Sequence, residues 1–493
     1  MPKLSVNGFV TWTLLCYIIR MEDMVRKEAF YTLLDSGEYS SDRMDAALAK
    51  HQEWDARDRA FYTALVETTL ENQTTIDAII SAYSRTRLAK LRPVVRAAIE
   101  LALAQVFYMN HVPDSAACNE SVKLVKLGGE GRYTGFANGL IRNIIRNKEN
   151  IEARIVTRNF SARLRRVKTE SSDTAKERPE YAWKILDPRL ASYEYFFNLS
   201  LTYSYPAWLV EHFERSYDGA EKILKGLRSE RKIAALSAIP VQELIYNLAE
   251  EGLTAYPLEN TTLPAVTFDK RSHPAKTQAF RNGLFYIMDL SSMQPVYQAG
   301  YDTADGSAAR RNTSRFPDHA DVLDLCASPG GKSIEAAILY DAHVTACDIS
   351  TGKTSRIQEN INRLDLNDKI KVMENDAAIF REDFAERYDV VIADVPCSAL
   401  GVSGRKPDIR TRVTPQSMKE LAGIQKQILA NASGYVKPGG TLIYSTCTLD
   451  PLENEQQISA FLSASVEYIL VKQETIYPDA DHDGFYYAIL KKK

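Results

Sequence analysis

Leu323-Asp324-Leu325-Cys326-Ala327-Ser328-Pro329-Gly330-Gly331-Lys332-Ser333 reads as the end of a β-strand, a glycine turn and the start of a helix. Three nucleotide loops compete for such a turn. A phosphate-binding P-loop needs a glycine five positions before Gly331, and Cys326 stands there. A dinucleotide loop needs Gly-x-Gly-x-x-Gly so that backbone can approach a pyrophosphate, and only the adjacent pair Gly330 and Gly331 is present. S-adenosylmethionine has no pyrophosphate. Two glycines that let the turn approach its amino acid end are sufficient.

Outward from this turn, strand patterns recur at Asp321 to Leu325, His343 to Cys347, Ile370 to Glu374, Tyr388 to Ala393 and Thr441 to Thr446. Helical stretches such as Ser355 to Leu364 and Ser417 to Val436 separate them. Such alternation predicts a doubly wound α/β domain with a parallel sheet, whose ligands sit beyond the carboxyl ends of the strands. Phe485 to Leu490 reads as one more strand, antiparallel to the rest. Acidic residues follow successive strands. Asp348 ends the second, 24 residues after Asp324 and near the spacing that reaches ribose hydroxyls, and Asp376 past the third is placed to meet an adenine. A lone aspartate at a strand end is ordinarily a turn or cap residue. Three in register on one sheet point to a site.

Asp394-Val395-Pro396-Cys397 ends the fourth strand and Ser445-Thr446-Cys447-Thr448 ends the fifth. A free cysteine is commonly a small buried hydrophobe, but both of these lie where strands deliver side chains to the site. Carbon 5 of a cytosine is too poor a nucleophile to attack a methyl donor unaided. A thiolate added at carbon 6 makes the ring an enamine that can, and a second thiol can assist loss of the C5 proton and release of product. Asp394 is placed to engage the N3 edge. The pattern is that of RNA cytosine-C5 methylation.

The N-terminal third differs. From Met24 to about Asn150 apolar residues recur at helical spacing and no strand pattern interrupts them. Arg154 to Lys168 then carries Arg154, Arg158, Arg163, Arg165, Arg166 and Lys168 with no acidic residue, and Thr169 to Glu180 is polar, as linkers are. The basic half reads either as a phosphate contact or as a solvated linker. Pro188 to Ser292 mixes helix and strand signals and reads as a small α/β module.

At 493 residues the chain exceeds what one core serves. Its net charge of −3 leaves any RNA attraction to local basic surface rather than to the whole molecule. The six cysteines, at 16, 118, 326, 347, 397 and 447, show no Cys-x-x-Cys metal spacing and no dense disulfide framework, which fits a reducing cytoplasm and no metal. The apolar stretch Gly8 to Ile19 follows a single Lys3, precedes no small-residue cleavage site and is too short to span a bilayer. Residues 1–23 read as a non-native extension with Met24 as the true start, or as a weak peripheral anchor.

On Asp394-Val-Pro-Cys397 and Ser445-Thr-Cys447 the chain resembles the bacterial 16S rRNA cytosine-C5 methyltransferases of the small subunit methyltransferase B family. Asp58-Arg59-Ala60, Leu91 to Arg96, Val112-Pro113 and Gly135 to Arg142 resemble the NusB-like RNA-binding domain. The resemblance implies 16S rRNA as partner, before or early in subunit assembly, with methyl donor contacts from Cys326, Ala327, Ser328, Pro329, Gly330, Gly331, Lys332, Asp348, Asp376 and Asp394. It implies Cys447 as nucleophile and Cys397 in product release, and it covers Lys406, Pro407, Asp408 and Arg410 as well as Glu453, Asn454 and Glu455. The expected organisation is an extension over 1–23, an all-α NusB-like domain over 24–150, a linker over 151–187, an α/β module over 188–292 and a Rossmann-like class I methyltransferase domain over 293–493. Lys232 to Ile239 lacks the Arg-x-Asn usual in the family, and Met288 stands where glutamine is usual. A tRNA substrate, or a non-catalytic assembly factor on the same fold, is the alternative.

Overall fold

The structure is a computed structural model that describes residues 24–151, 190–300 and 316–493, apart from Ser36, Glu38, Asp218 and Asn260. Residues 1–23 and the basic and polar stretch from Arg154 to Glu180 lie outside the described residues. Two compact units emerge, one of residues up to Arg215 together with Lys406–Thr411, the other of Ser216–Arg405 and Arg412–Lys493.

Among its described residues the first unit is all helical. Its central helix, Pro93–Tyr108, begins with proline at its first turn, where no amide is needed, and is buried at every residue from Ala97 to Val106. A helix apolar all round must be enclosed, and Ala56–Glu71, Gln73–Tyr83, Asp114–Leu127 and Thr134–Arg146 enclose it. Helix Leu190–Tyr203 joins them rather than the α/β module: Thr75 Oγ1 donates to Leu201 O at 2.7 Å and Thr74 N to Ser204 Oγ at 3.1 Å. Lys406–Thr411 completes the unit, with Asp408 accepting from Ser40 N at 2.8 Å and the buried Arg410 donating to Glu71 O at 3.0 Å while its guanidinium lies over Tyr205.

Several arginines of the NusB-like motifs are occupied within this unit. Arg59 donates to Leu48 O at 3.0 Å, closing the end of the helix Ser40–Lys50. Arg96 pairs with Asp77 and Glu100, each at 2.6 Å. One guanidinium facing two carboxylates leaves a charge over, and burial followed by the charge of Glu100 pushes Asp77 up to about 8. Arg142 donates to Asn138 at 2.9 Å. Arg59 and Arg96 are thus engaged by helix packing, whereas Arg142 meets Asn138 of its own helix at an exposed position.

The second unit holds two sheets. The smaller runs β2 (Tyr256–Pro257), β3 (Ala265–Phe268), β1 (Ile233–Ser237), β4 (Phe285–Ile287), antiparallel throughout. The larger has the order β10 (Tyr468–Ile476), β11 (Phe485–Lys492), β9 (Val436–Thr446), β8 (Tyr388–Asp394), β5 (Asp321–Asp324), β6 (His343–Asp348), β7 (Ile370–Glu374). Strands β5 to β9 pair in parallel and β11 runs antiparallel to both neighbours. The strand order reverses between β5 and β8, the switch point at which doubly wound sheets open a crevice. One hydrophobic core spans both sheets, joining Leu236 and Met288 to Val322, Ile334 and Ile361. Residue 292 falls inside the helix Leu290–Ala299, which Asp289 caps by accepting from Ser291 N at 3.0 Å. Among the described residues, no helix is long and apolar enough to cross a membrane.

Candidate active site

The glycine turn forms as its sequence demands. Gly330 sits at φ +110°, open to a residue without a Cβ, and a Cβ on Gly331 would press on Met288 Sδ at 3.1 Å. Met288, the departure from the family pattern, therefore forms a wall behind the turn. The backbone of the loop is tied to the sheet by Ala327 N to Cys347 O at 2.8 Å and by Ser328 N to Asp348 Oδ2 at 3.0 Å. Asp348 also accepts from Ile349 N at 2.8 Å and pairs with Lys353 at 3.1 Å. Burial, then the charges of Asp348, Asp324 and Asp394, push the Cys326 thiol well above its usual range, so it lines the turn as a neutral group.

The three strand-end aspartates do unlike things. Asp324 is fully buried, accepts from Ser333 Oγ at 2.7 Å and is pushed up to about 7 by burial, so it ties β5 to the helix Gly331–Tyr340. Asp348 stands against the turn. Asp376 accepts from Ala378 N at 2.9 Å beyond β7. Its neighbour Asn375 is 8% exposed, and its Nδ2 is a buried donor with no acceptor in the protein. Ile349, directly after Asp348, and Ile379, just past Asp376, are exposed, whereas Phe380 stacks on Tyr435 with ring centroids 5.0 Å apart, ahead of β9. An orphan amide donor and exposed apolar side chains beside a ribose-spaced carboxylate fit a purine nucleoside. Sequence reasoning passed over Asn375 and Ile349; an apolar residue directly after a strand-ending aspartate is the signal that could have found Ile349.

Lys332 does not face the turn. Its Nζ reaches Asp394 Oδ2 at 2.7 Å and Ser292 Oγ at 3.1 Å, with the Phe485 ring 5.1 Å away. Asp394 Oδ1 accepts from Ser445 Oγ at 2.6 Å, and those two residues are register partners on β8 and β9. Past the ends of the same two strands, Cys397 Sγ and Cys447 Sγ lie 3.4 Å apart. The hydrogen bond to Cys447, then burial and the charges of Cys447 and Glu453, push the Cys397 thiol well above its usual range. Gly401 fixes the two loops together: its N donates to Cys447 O at 3.0 Å and its O accepts from Gly484 N at 3.0 Å, and a Cβ there would collide with the Gly484 carbonyl. Glu453 and Asn454 are fully buried behind the thiol loops, whereas Glu455 accepts from Thr475 Oγ1 elsewhere. Asp408 and Arg410 belong to the helical unit and take no part in this cluster. Among the described residues, no group of His, Cys, Asp and Glu is arranged to hold a metal ion.

Two family models match the chain, the NusB family over residues 24–146 and the 16S rRNA methyltransferase RsmB/F family over 315–491. The probable ribosomal RNA small subunit methyltransferase B of Bacillus subtilis (strain 168) is 30% identical over 448 residues, covering 88% of this chain and 87% of that protein. Its counterpart in Synechocystis sp. (strain PCC 6803) is 29% identical, over 95% and 99% of the two chains. In fold, the chain is similar to the crystal structure of PH0851, with a TM-score of 0.70 at 20% identity over 94% of this chain and 99% of that one. The crystal structure of NSun6 from Pyrococcus horikoshii with SFG aligns with a TM-score of 0.50 at 20% identity, over 58% and 98%. With the helical and the catalytic modules each matched in turn, and relatives aligned along nearly the whole length, the chain belongs to the RsmB/F family of 16S rRNA methyltransferases.

Proposed function

We propose that this protein methylates carbon 5 of a cytosine in 16S ribosomal RNA through a covalent adduct between Cys447 and carbon 6, acting in the cytoplasm on RNA before or early in subunit assembly. The observation that carries this reading is the meeting of two thiols, 3.4 Å apart, beside an aspartate that a buried lysine holds in place. S-adenosylmethionine, when bound, supplies the methyl group; the turn Cys326–Gly331, Asp348, Asn375 and Asp376 would hold it. Cys447 Sγ, as thiolate, adds to C6. Asp394 hydrogen-bonds and protonates the N3 edge, its Oδ2 held by Lys332 Nζ at 2.7 Å. After methyl transfer Cys397, which loses its own proton to solvent once Cys447 is bound to carbon, takes the C5 proton as thiolate; the C5–H electrons form the C5–C6 double bond, the C6–S electron pair returns to Cys447, and N3 gives its proton back to Asp394. The base must be splayed out of its stack to reach these groups, which favours single-stranded or opened RNA.

The test is methylation of in vitro transcribed 16S rRNA and of total tRNA, read by bisulfite sequencing. One protected cytosine in the 16S transcript is expected. Protection in tRNA alone would overturn the substrate, and none in either would sink the activity.

For the donor, Asp348→Ala removes a carboxylate acceptor and frees Ser328 N from its partner. A charge-assisted contact is worth about 1.5–3 kcal/mol, so donor affinity should fall by roughly 10- to 150-fold in titration calorimetry. Unchanged affinity in a folded variant would remove Asp348 from the donor site.

A further inference from the structure

Glu453 and Asn454 are consecutive, and each grips the loop of one catalytic thiol. Asn454 Oδ1 accepts from Thr446 Oγ1 at 2.6 Å and its Nδ2 donates to Thr448 O at 3.0 Å, so a single amide spans the residues on either side of Cys447. Around Cys397 the grip has two parts. Ser398 N donates to Glu453 Oε2 at 2.9 Å and Ser398 Oγ to Glu453 Oε1. Gln425 Nε2 lies 2.7 Å from Glu453 Oε2 and 3.0 Å from Pro396 O. The residues before and after Cys397 are thereby held from one carboxylate. Tyr444 OH donates to Glu453 O at 2.6 Å, anchoring that residue to β9.

The protons along this network have one consistent arrangement. Leu400 N donates to Thr448 Oγ1 at 3.3 Å, the Thr448 hydroxyl then donates to Ser398 Oγ at 2.6 Å, and Ser398 donates to Glu453. The hydrogen bonds to the Glu453 side chain come from Ser398 N, Ser398 Oγ and Gln425 Nε2, a donor set that suits the carboxylate. Burial holds Glu453 above its usual range, and the Ser398 and Gln425 donors oppose that shift in part.

We propose that Glu453 and Asn454 are positioning residues that make the two thiols inequivalent, Asn454 by presenting Cys447 and the Glu453 carboxylate by holding Cys397 as the neutral S–H donor to Cys447. Two sulfurs 3.4 Å apart cannot both carry charge cheaply. When one proton leaves the pair for solvent, the remaining S–H bridges the sulfurs, and the negative carboxylate beside Cys397 sends the thiolate to Cys447. The titratable groups around Cys397 are Cys447, Glu453 and Tyr444, with Asp450 behind Glu453. None of these is cationic, so the strongest influences on Cys397 all favour its neutral form.

This inference rests on the covalent reading of the two cysteines, and its test separates the two ideas. The full-length protein and its Glu453→Gln, Glu453→Asp and Asn454→Asp variants are alkylated with iodoacetamide across a pH series, and modification of each cysteine is followed by mass spectrometry. In parallel, each is mixed with RNA containing 5-fluorocytidine and the methyl donor to trap the adduct. In the parent, Cys447 should be alkylated at lower pH than Cys397. Glu453→Gln should lower the Cys397 midpoint by about one pH unit or more, tenfold in thiolate population at fixed pH, and slow adduct formation. Glu453→Asp should keep the midpoint high. Asn454→Asp should slow adduct formation without moving the Cys397 midpoint. An unmoved Cys397 midpoint in a folded Glu453→Gln protein overturns the inference, as does a Glu453→Asp protein that behaves like Glu453→Gln, or an Asn454→Asp protein that traps adduct at the parental rate. Should the Gln variant not fold, the order of the two midpoints in the parent decides: Cys397 reacting first would refute it. A parent that traps no fluorinated RNA at all defeats the covalent reading instead, whatever the order of the thiols.

Discussion

Replacing Cys397 with serine should leave a protein–RNA adduct that survives denaturing electrophoresis, whereas Cys447→Ser should form none, although each variant loses turnover. The two sulfurs are so close that proximity cannot distinguish them; their order in the reaction does. Without Cys447 nothing adds to C6. Loss of a nucleophile costs on the order of 10³- to 10⁶-fold in rate. Without Cys397 attack and methyl transfer proceed but release stalls, so the adduct accumulates. The reverse result, with Cys447→Ser trapping RNA, would exchange the roles. If both variants still methylate RNA and neither traps it, the cysteines are structural.

Lys332→Met should lower the single-turnover rate by roughly 100-fold, in the range of a lost acid–base group, while donor affinity changes less than about threefold. The glycine turn places Lys332 in a donor-binding motif by sequence, yet its side chain is 5% exposed and its Nζ is committed to Asp394 and Ser292. Methionine fills the space and removes the charge. Breaking a buried ion pair costs about 3–5 kcal/mol, but Asp394 is 32% exposed, so water compensates part of it and the stability loss should be nearer about 1–2 kcal/mol. Calorimetry with the donor and rapid-quench methylation distinguish the roles. A tenfold weaker donor affinity with the rate intact at saturation would return Lys332 to the donor.

What the sequence made legible follows from where information is local. Strands β5, β6, β8 and β9 are largely buried runs bounded by turn residues, and the ends of β8 and β9 carry the cysteines, so most of the sheet and the thiol pair could be read from short segments. β10 could not. It is an edge strand with Ile469, Leu470, Gln473 and Glu474 facing solvent, and its Lys472 and Glu474 erase any apolar alternation. Nor could the destination of Leu190–Tyr203, because a helix's apolar face does not name its partner; only the structure places it against Gln73–Tyr83. The arginines of the helical domain show the same limit. By sequence Arg96 reads as one arginine of a solvated helix face within an RNA-binding motif, and only the structure shows Asp77 and Glu100 claiming it. Glu453 and Asn454 stood out as a motif, but their hold on two separate loops depends on hydrogen bonds spanning up to 55 residues.

The segment Lys406–Thr411 gives the helical unit an unusual history during synthesis. That unit occupies the front of the chain and would ordinarily fold first as it leaves the ribosome. Yet the amide of Ser40 waits for a partner 368 residues later, and the carbonyl of Glu71 for one 339 residues later. The nascent helical bundle must therefore stand incomplete until the chain between the two cysteine-bearing strands has been made, so the first unit to appear is finished only when the active site is being assembled.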